Sequence, residues 1–481
     1  MLNSTDFRKM AHQIADWMAD YLENVEHYPV KSQVQPREIY EELPNLMPTN
    51  GENFQEILKD FQEVLMKGIT HWQSPNFFAY FPANSSYESV LAEMITATLG
   101  AQCMVWETSP AAAELEEKMM EWLKTACGLP ENWHGVIQDT ASSATLCALL
   151  SAREAYSNFQ INQKGFEGYT NFRIYTSQQT HSSIEKAVKI AGFGKESLVY
   201  LPVDEKFALI PDALEKAIEE DLKNEKIPLC VIASIGTTGS TAIDPLEKIT
   251  TITQKHKVWL HVDAAYAGTA TLLPEYRFMI KGLEHADSYV FNPHKWMMVN
   301  FDCTAYYVKS KEILIRTFEI LPEYLKTQAD SQVNNYRDWG IPLGRRFRAL
   351  KLWFVLRSYG LRDIQKKLRE QIQLAQDLKR KIEQNPHFEI LAPVHLNLIC
   401  FRYKPHESIS EEILNQINTD LLQRINASGK AYLSHTKLNG KYTIRMVIGQ
   451  TYVLQKHVEN TWELIQLLAQ EQNTMLESQS K

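Results

Sequence analysis

Apolar residues recur at steps of three and four from the start of the chain. Phe7, Met10, Ile14, Trp17, Tyr21 and Val25 form one stripe, which predicts an amphipathic helix. The polar stretch VKSQVQPREIYEELPNLMPTNGE follows; with Pro29 just before it, the region holds four prolines and predicts an extended arm. FQEILKDFQEVLMKGI predicts a second helix. From about residue 90 to about 310 the pattern changes to short apolar runs alternating with amphipathic stretches. GVIQ, RIYTS, LVYLPV, LCVIASI, VWLHVDAAY, SYVFN and TAYYV read as strands, several of them covered on both faces. SSIEKAVKIAG and DALEKAIEEDLKN read as helices between them. This βαβ alternation predicts an α/β fold with a mostly parallel sheet wrapped by helices, and ligands at the carboxyl ends of its strands.

Beyond that block, about 321–340 is polar and aperiodic and reads as a long loop. RRFRALKLWFVLRSYG and RDIQKKLREQIQLAQDLKRKIEQ read as helices. FEILAP, LNLICFRY and YTIRMVIG read as strands of a smaller α+β unit, closed by the helix VLQKHVENTWELIQLLAQ. The division that follows is an N-terminal helical dimerisation segment over 1–85, a large cofactor-binding domain over 86–360 and a small C-terminal domain over 361–481. A helix-arm-helix start cannot bury its own stripe, so it packs on the main body or on a second subunit.

Composition narrows the function classes. The 481 residues are 44% hydrophobic and 22% charged, which is ordinary globular usage. A net charge of −8 argues against nucleic acid and against a basic membrane surface. No run of apolar residues is long enough for a membrane span, and Asp6, Arg8 and Lys9 interrupt any signal-peptide core. The six cysteines are scattered, with neither a C-x-x-C pair nor a zinc spacing, so no metal is expected and a reducing, cytoplasmic setting is the simplest reading.

Four pieces between residues 138 and 296 carry the chemistry. QDTASSATL follows a strand and opens a helix with small and hydroxyl residues, and a helix N-terminus suits a phosphate. His181, in QQTHSSIEKA, lies at a strand's carboxyl end, where an imidazole stacks on a ring or moves a proton. Asp263 ends the near-continuous apolar strand of VWLHVDAAYAG; a carboxylate buried there needs a partner, and a protonated heteroaromatic nitrogen would serve. Lys295, in NPHKW, sits at a strand end beside Trp296, Met297, Met298 and Val299, surroundings that lower a lysine's pKa and permit a Schiff base. Each piece alone is also consistent with a cap, a structural histidine, a salt bridge or an exposed lysine. Together they make the protein's part of a pyridoxal 5'-phosphate site.

The order of these pieces resembles the fold-type-I pyridoxal-phosphate enzymes, which are aspartate-aminotransferase-like. HVDAAYAG and FNPHKW resemble the group II amino-acid decarboxylases. HWQSPNFFAYFP, TSPAAAELE, NFDC and IPLGRRFRALKLWFVLRSYG are similar to its aromatic L-amino-acid decarboxylase branch, and the resemblance spans roughly residues 5–470. It implies that Lys295 carries the cofactor, that Asp263 pairs with the pyridine nitrogen and that His181 stacks on the ring. It places Ala141, Ser142, Asn292 and His294 on the phosphate, and Thr238 and Ala265 along the cofactor. It assigns Trp72, Tyr80, Phe81 and Pro82 to the aromatic side of the substrate pocket. Tyr324 becomes the mobile-loop residue that returns a proton to the carbon losing carbon dioxide. It also implies a homodimer with shared active sites. Arg445 has a family counterpart, with no role assigned by the sequence.

Two departures bear on ring recognition. Ala83 stands where animal members have a threonine that reaches catechol oxygens, and Gln102 and Met104 replace a partner-subunit isoleucine and phenylalanine. Gly344 stands where some relatives carry serine, which the resemblance links with bulky or indole substrates. The implied reaction is decarboxylation of dopa, tryptophan, 5-hydroxytryptophan, phenylalanine or tyrosine to aromatic amines and carbon dioxide. Its nearest rival is an aldehyde synthase of the same family, which tends to replace the loop tyrosine by phenylalanine or the stacking histidine by asparagine. Tyr324 and His181 favour the decarboxylase. An aminotransferase fits the NPHKW context poorly, and a non-catalytic relic fits the intact set poorly.

Overall fold

A computed structural model describes residues 3–320, 332–406 and 409–479. The chain gathers into two compact units. One is Ala83–Ile372 with Ala392–Leu396; the other is Met1–Pro82, Gln373–Leu391 and Asn397–Lys481.

The first unit holds the large sheet. All seven expected strands form: β1 (His134–Gln138), β2 (Phe172–Ser177), β3 (Leu198–Leu201), β4 (Ile227–Ser234), β5 (Trp259–Asp263), β6 (Ser288–Phe291) and β7 (Thr304–Val308). Their order is β1-β7-β6-β5-β4-β2-β3. The run β6-β5-β4-β2-β3 is parallel, while β7 is antiparallel to both β6 and β1. Val231, Ile232 and Ala233 of β4 are all fully buried, as expected of a strand covered on both faces.

Helix Ala141–Ser157 crosses the middle of this sheet and packs on β4, β5 and β6. Thr140 caps it, its hydroxyl accepting the Ser143 N–H, and the following Ala144, Leu146, Cys147 and Leu149 bury against the strands. Gly236, just past β4, has φ 80°, and a Cβ there would lie 2.5 Å from Ala267 Cβ, so only glycine lets the β4 turn approach the segment after β5. The two helices expected after the loop both form: residues 348–383 are helical on either side of Gly360, whose φ 66° and ψ 166° are non-helical and separate them.

The second unit contains helix Ser4–Asn24, capped by Asn3, and helix Phe54–Glu63. Neither helix has a buried residue within its unit's packing. The unit's sheet is antiparallel, in the order β10-β11-β9-β8: β8 (Phe388–Ile390), β9 (Leu398–Tyr403), β10 (Ser434–Leu438) and β11 (Lys441–Val447). Three of these strands match the sequence reading; β10 is additional. Asn439 and Gly440, with φ 50° and 81°, make the tight turn that joins β10 to β11. Among the described residues no helix is long and apolar enough to cross a membrane.

Candidate active site

Lys295 is set by its neighbours. β6 ends at Phe291, and Pro293 opens the short helix Pro293–Trp296. The Asn292 N–H donates to Ala265 O at 3.0 Å, and the Asn292 Oδ1 accepts the Thr304 hydroxyl at 2.9 Å. Trp296 is buried, stacked on Tyr266 at 5.0 Å and 13°, and its Nε1–H donates to Gln371 Oε1 at 2.6 Å. The backbone around the lysine is therefore held on both sides. Burial pulls the Lys295 pKa below the ordinary lysine value, and the negative charge of Asp263 works against that shift without overcoming it.

Asp263 ends β5, paired in register with Ser234 of β4 and Val290 of β6. It is 9% exposed, and its Oδ1 accepts the Ala265 N–H at 3.0 Å. Ala265 itself is half-buried. His181 lies beyond β2. Its Nδ1 accepts the Ser183 N–H at 3.1 Å and meets the Ser183 hydroxyl at 2.7 Å, which leaves the ring proton on Nε2. His181 is exposed by surface area, yet enough protein surrounds the ring that desolvation lowers its pKa, with Lys295 adding and Asp263 opposing. All three predicted reactive groups thus feel one another electrostatically.

The helix N-terminus predicted from QDTASSATL is present, with Ala141 half-buried and Ser142 exposed in its first turn. First-turn N–H groups lack intrahelical acceptors and point outward. His294 is buried, and its Nδ1 accepts the Cys303 N–H at 3.0 Å. Its proton therefore sits on Nε2, a donor, and burial pushes its pKa down to about 3, so it stays neutral. Thr238 is exposed in the turn that follows Gly236. N–H donors at a helix N-terminus, a neutral histidine donor, a buried carboxylate and a lysine with lowered pKa match the chemistry of pyridoxal phosphate: a dianion, a ring nitrogen and an aldehyde.

Other predicted residues sit elsewhere. Trp72, Tyr80, Phe81 and Pro82 belong to the second unit. There Trp72 stacks on Tyr80 at 5.8 Å and 18°. Tyr80 has φ 52°, an uncommon value for a bulky residue, and Arg445 accounts for it. The Arg445 guanidinium donates to Ser434 Oγ at 2.7 Å and lies 5.4 Å from the Phe81 ring centre, while Ser434 Oγ accepts the Tyr80 N–H at 2.9 Å. Arg445, without a role in the sequence reading, props this aromatic turn. In the first unit, the Gln102 Oε1 accepts the Arg345 N–H at 2.6 Å, and its Nε2 lies 3.2 Å from where a Gly344 Cβ would stand. The Met104 carbonyl accepts the Arg337 N–H at 2.9 Å. Ala83 opens this unit. Tyr324 lies outside the described residues.

The sequence reading missed His261, Thr304 and Gln371. A histidine inside an apolar strand, a threonine at a strand start and a glutamine on an amphipathic helix carry no motif.

Comparison with known proteins points to the same cofactor. Residues 36–404 match the family model described as the pyridoxal-dependent decarboxylase conserved domain. The chain is 42% identical over 476 residues to a phenylacetaldehyde synthase of Arabidopsis thaliana, covering 97% of this chain and 96% of that protein. It is 40% identical over 475 residues to tyrosine decarboxylase 2 of Narcissus pseudonarcissus, covering 97% and 94%. The crystal structure of an Oryza sativa TDC with PLP and tryptamine superposes with a TM-score of 0.95 at 34% identity, covering 98% of this chain and 99% of that one.

Proposed function

The chain belongs to the pyridoxal-dependent decarboxylase family, and from that premise we propose that it converts aromatic L-amino acids to aromatic amines and carbon dioxide. The observation that carries the reading is the convergence of Lys295, Asp263 and His181 on one end of the large sheet. When bound, pyridoxal phosphate supplies a conjugated ring that takes up the electron pair left by departing carbon dioxide. In this reading Lys295 Nζ, its pKa lowered by burial, would be the group that holds the cofactor's aldehyde and exchanges it with the substrate amine. Asp263 would keep a proton on the ring nitrogen. The first-turn N–H groups at Ala141 and Ser142, with Asn292 and the His294 Nε2–H, would hold the phosphate, with Thr238 and Ala265 as further cofactor residues. His181 would be the stacking residue, and Tyr324 would return the proton to the substrate Cα.

Substrate class follows from the aromatic residues Trp72, Tyr80, Phe81 and Pro82, which we assign to the ring side of the substrate, with Ala83 and Gly344 leaving space. Gln102 and Met104 reach that ring from a partner subunit in a homodimer. The dimer reading is supported by helix Tyr87–Leu99, whose Tyr87, Leu91, Met94, Ile95 and Leu99 are all exposed, and by the two N-terminal helices without buried residues. We place the enzyme in the cytoplasm, in keeping with six buried cysteines.

The second reading, an aromatic aldehyde synthase, is favoured by the Arabidopsis relative. Incubation with L-dopa, L-tyrosine, L-tryptophan and L-phenylalanine, with carbon dioxide, amine, ammonia and peroxide all measured, separates the two. The decarboxylase gives one amine per carbon dioxide; equimolar ammonia and peroxide would make it a synthase.

A further inference from the structure

His261 is a fully buried titratable group near the site, and it has no part in the chemistry described so far. It is fully buried on β5, two residues before Asp263, and so on the same face of the strand. Its Nε2 lies 3.2 Å from Thr145 Oγ1, one helical turn past Ala141, and its Nδ1 lies 2.9 Å from Ser288 Oγ, the first residue of β6. Ser288 is also its register partner in the sheet. A neutral imidazole offers one donor and one acceptor, and a hydroxyl can fill either role, so the ring satisfies both contacts in one tautomer.

We infer that His261 is a positioning residue for the cofactor site, tying together the helix that opens at the phosphate cradle, the strand that ends in Asp263 and the strand that leads to Lys295. An apolar residue would fill the same space but would remove the side-chain hydrogen bonds that His261 makes to the helix at Thr145 and to β6 at Ser288. A lysine or arginine would put a fixed positive charge beside Asp263 and compete with the ring nitrogen for it. Burial pushes the His261 pKa down to about 4, and Asp263 opposes the shift only in part, so the imidazole stays neutral and leaves the carboxylate's charge for the cofactor.

This inference rests on the pyridoxal-phosphate reading. The test uses full-length His261→Leu, His261→Gln, Thr145→Val and Ser288→Ala, and the double variant His261→Leu/Thr145→Val. Each is compared with wild type by titration of cofactor-stripped protein with pyridoxal phosphate, by visible absorption of the bound cofactor, by kcat and KM, and by thermal melting. His261→Leu is expected to weaken cofactor binding about tenfold or more, about 1.4 kcal/mol, to shift the visible band, and to lower kcat with little change in KM for the amino acid. His261→Gln, which keeps a donor and an acceptor, recovers part of the loss. The double variant is no worse than His261→Leu alone, because both changes cut the same link. A lower melting temperature with unchanged cofactor affinity and spectrum would overturn the inference and make His261 a packing residue. If His261→Leu does not fold, unchanged affinity in both Thr145→Val and Ser288→Ala overturns it. Wild-type protein that takes up no pyridoxal phosphate would refute the cofactor reading itself, which is a separate result.

Discussion

Two lysines of the large-sheet unit are buried for different ends. Lys351, on helix Arg348–Glu383, is fully buried, but Glu93 lies 2.8 Å from its Nζ and Asp302 lies 3.9 Å away. Asp302 also meets Arg348 at 2.9 Å and Arg346 at 3.6 Å, so charges of both signs close on one another. Lys295 has the field of Asp263, and desolvation still outweighs it. A buried lysine whose desolvation outweighs the field of the carboxylate near it keeps the lowered pKa a nucleophile needs. A buried lysine set among several charges of both signs belongs to a structural ion cluster, strongly destabilising to break.

The sharpest way to break this contrast is to move the chemistry. Lys295→Ala is expected to reduce turnover to background. Borohydride reduction followed by peptide mapping should then find the cofactor on no lysine, and on Lys295 alone in wild type; label on Lys351 would erase the distinction. Tyr324→Phe leaves both lysines in place and separates holding the cofactor from returning the proton. Amine formation should fall by about 10²-fold or more while the Lys295 label persists, and aldehyde should rise as a share of product. Lys351→Met leaves Glu93 and Asp302 short of one cation and is expected to cost about 3 kcal/mol in urea unfolding, with the Lys295 label intact.

The smallest effect is on pH. His294 and His261, with folded values of about 3 and about 4 against 6.5 for an ordinary histidine, are buried in neutral form. Their stabilisation is present above pH 6.5 and is lost as pH falls toward those values, because the unfolded chain takes up protons that the native state refuses. Asp244 and Asp287 run the other way. Burial raises both from 3.8 to about 6, so their contribution is present below 3.8 and lost as pH rises through about 6. Between about pH 6 and 4 the two pairs largely offset. Asp287→Asn removes one carboxylate from that balance, so the unfolding free energy from urea titration should drop more steeply as pH falls from about 6 to 4 than in wild type, by up to about 2 kcal/mol. Parallel curves would mean that Asp287 titrates as an ordinary carboxylate.

The seven strands of the large sheet were legible because strands covered on both faces read as apolar runs, and Lys295, Asp263 and His181 drew notice as candidates because they stand where those runs stop. What stayed hidden has a physical cause in each case. β10, the segment SHTKL, is a polar edge strand, and its signal lay in the Asn439-Gly440 turn that follows it. Lys351 reads as one more cation on an amphipathic helix, because its carboxylate partners Glu93 and Asp302 lie far away in the chain. Arg445 needed the fold to bring Ser434 and Tyr80 beside it.

The antiparallel strand β7 bears on how the site comes into being. The chain leaves β6 at Phe291, passes through Lys295 and re-enters the sheet at Thr304, so the lysine rides on a hairpin closed by residues 292–303. The parallel pairing of β5 with β6 must instead span residues 264–287, and that of β4 with β5 must span 235–258. Shorter loops cost less entropy to close and close sooner. The turn that carries Lys295 therefore closes at an entropy cost lower by about 0.6 kcal/mol than a loop twice as long. Asp263 stands at the end of β5, inside those longer pairings, so bringing it beside Lys295 draws on the costlier closures.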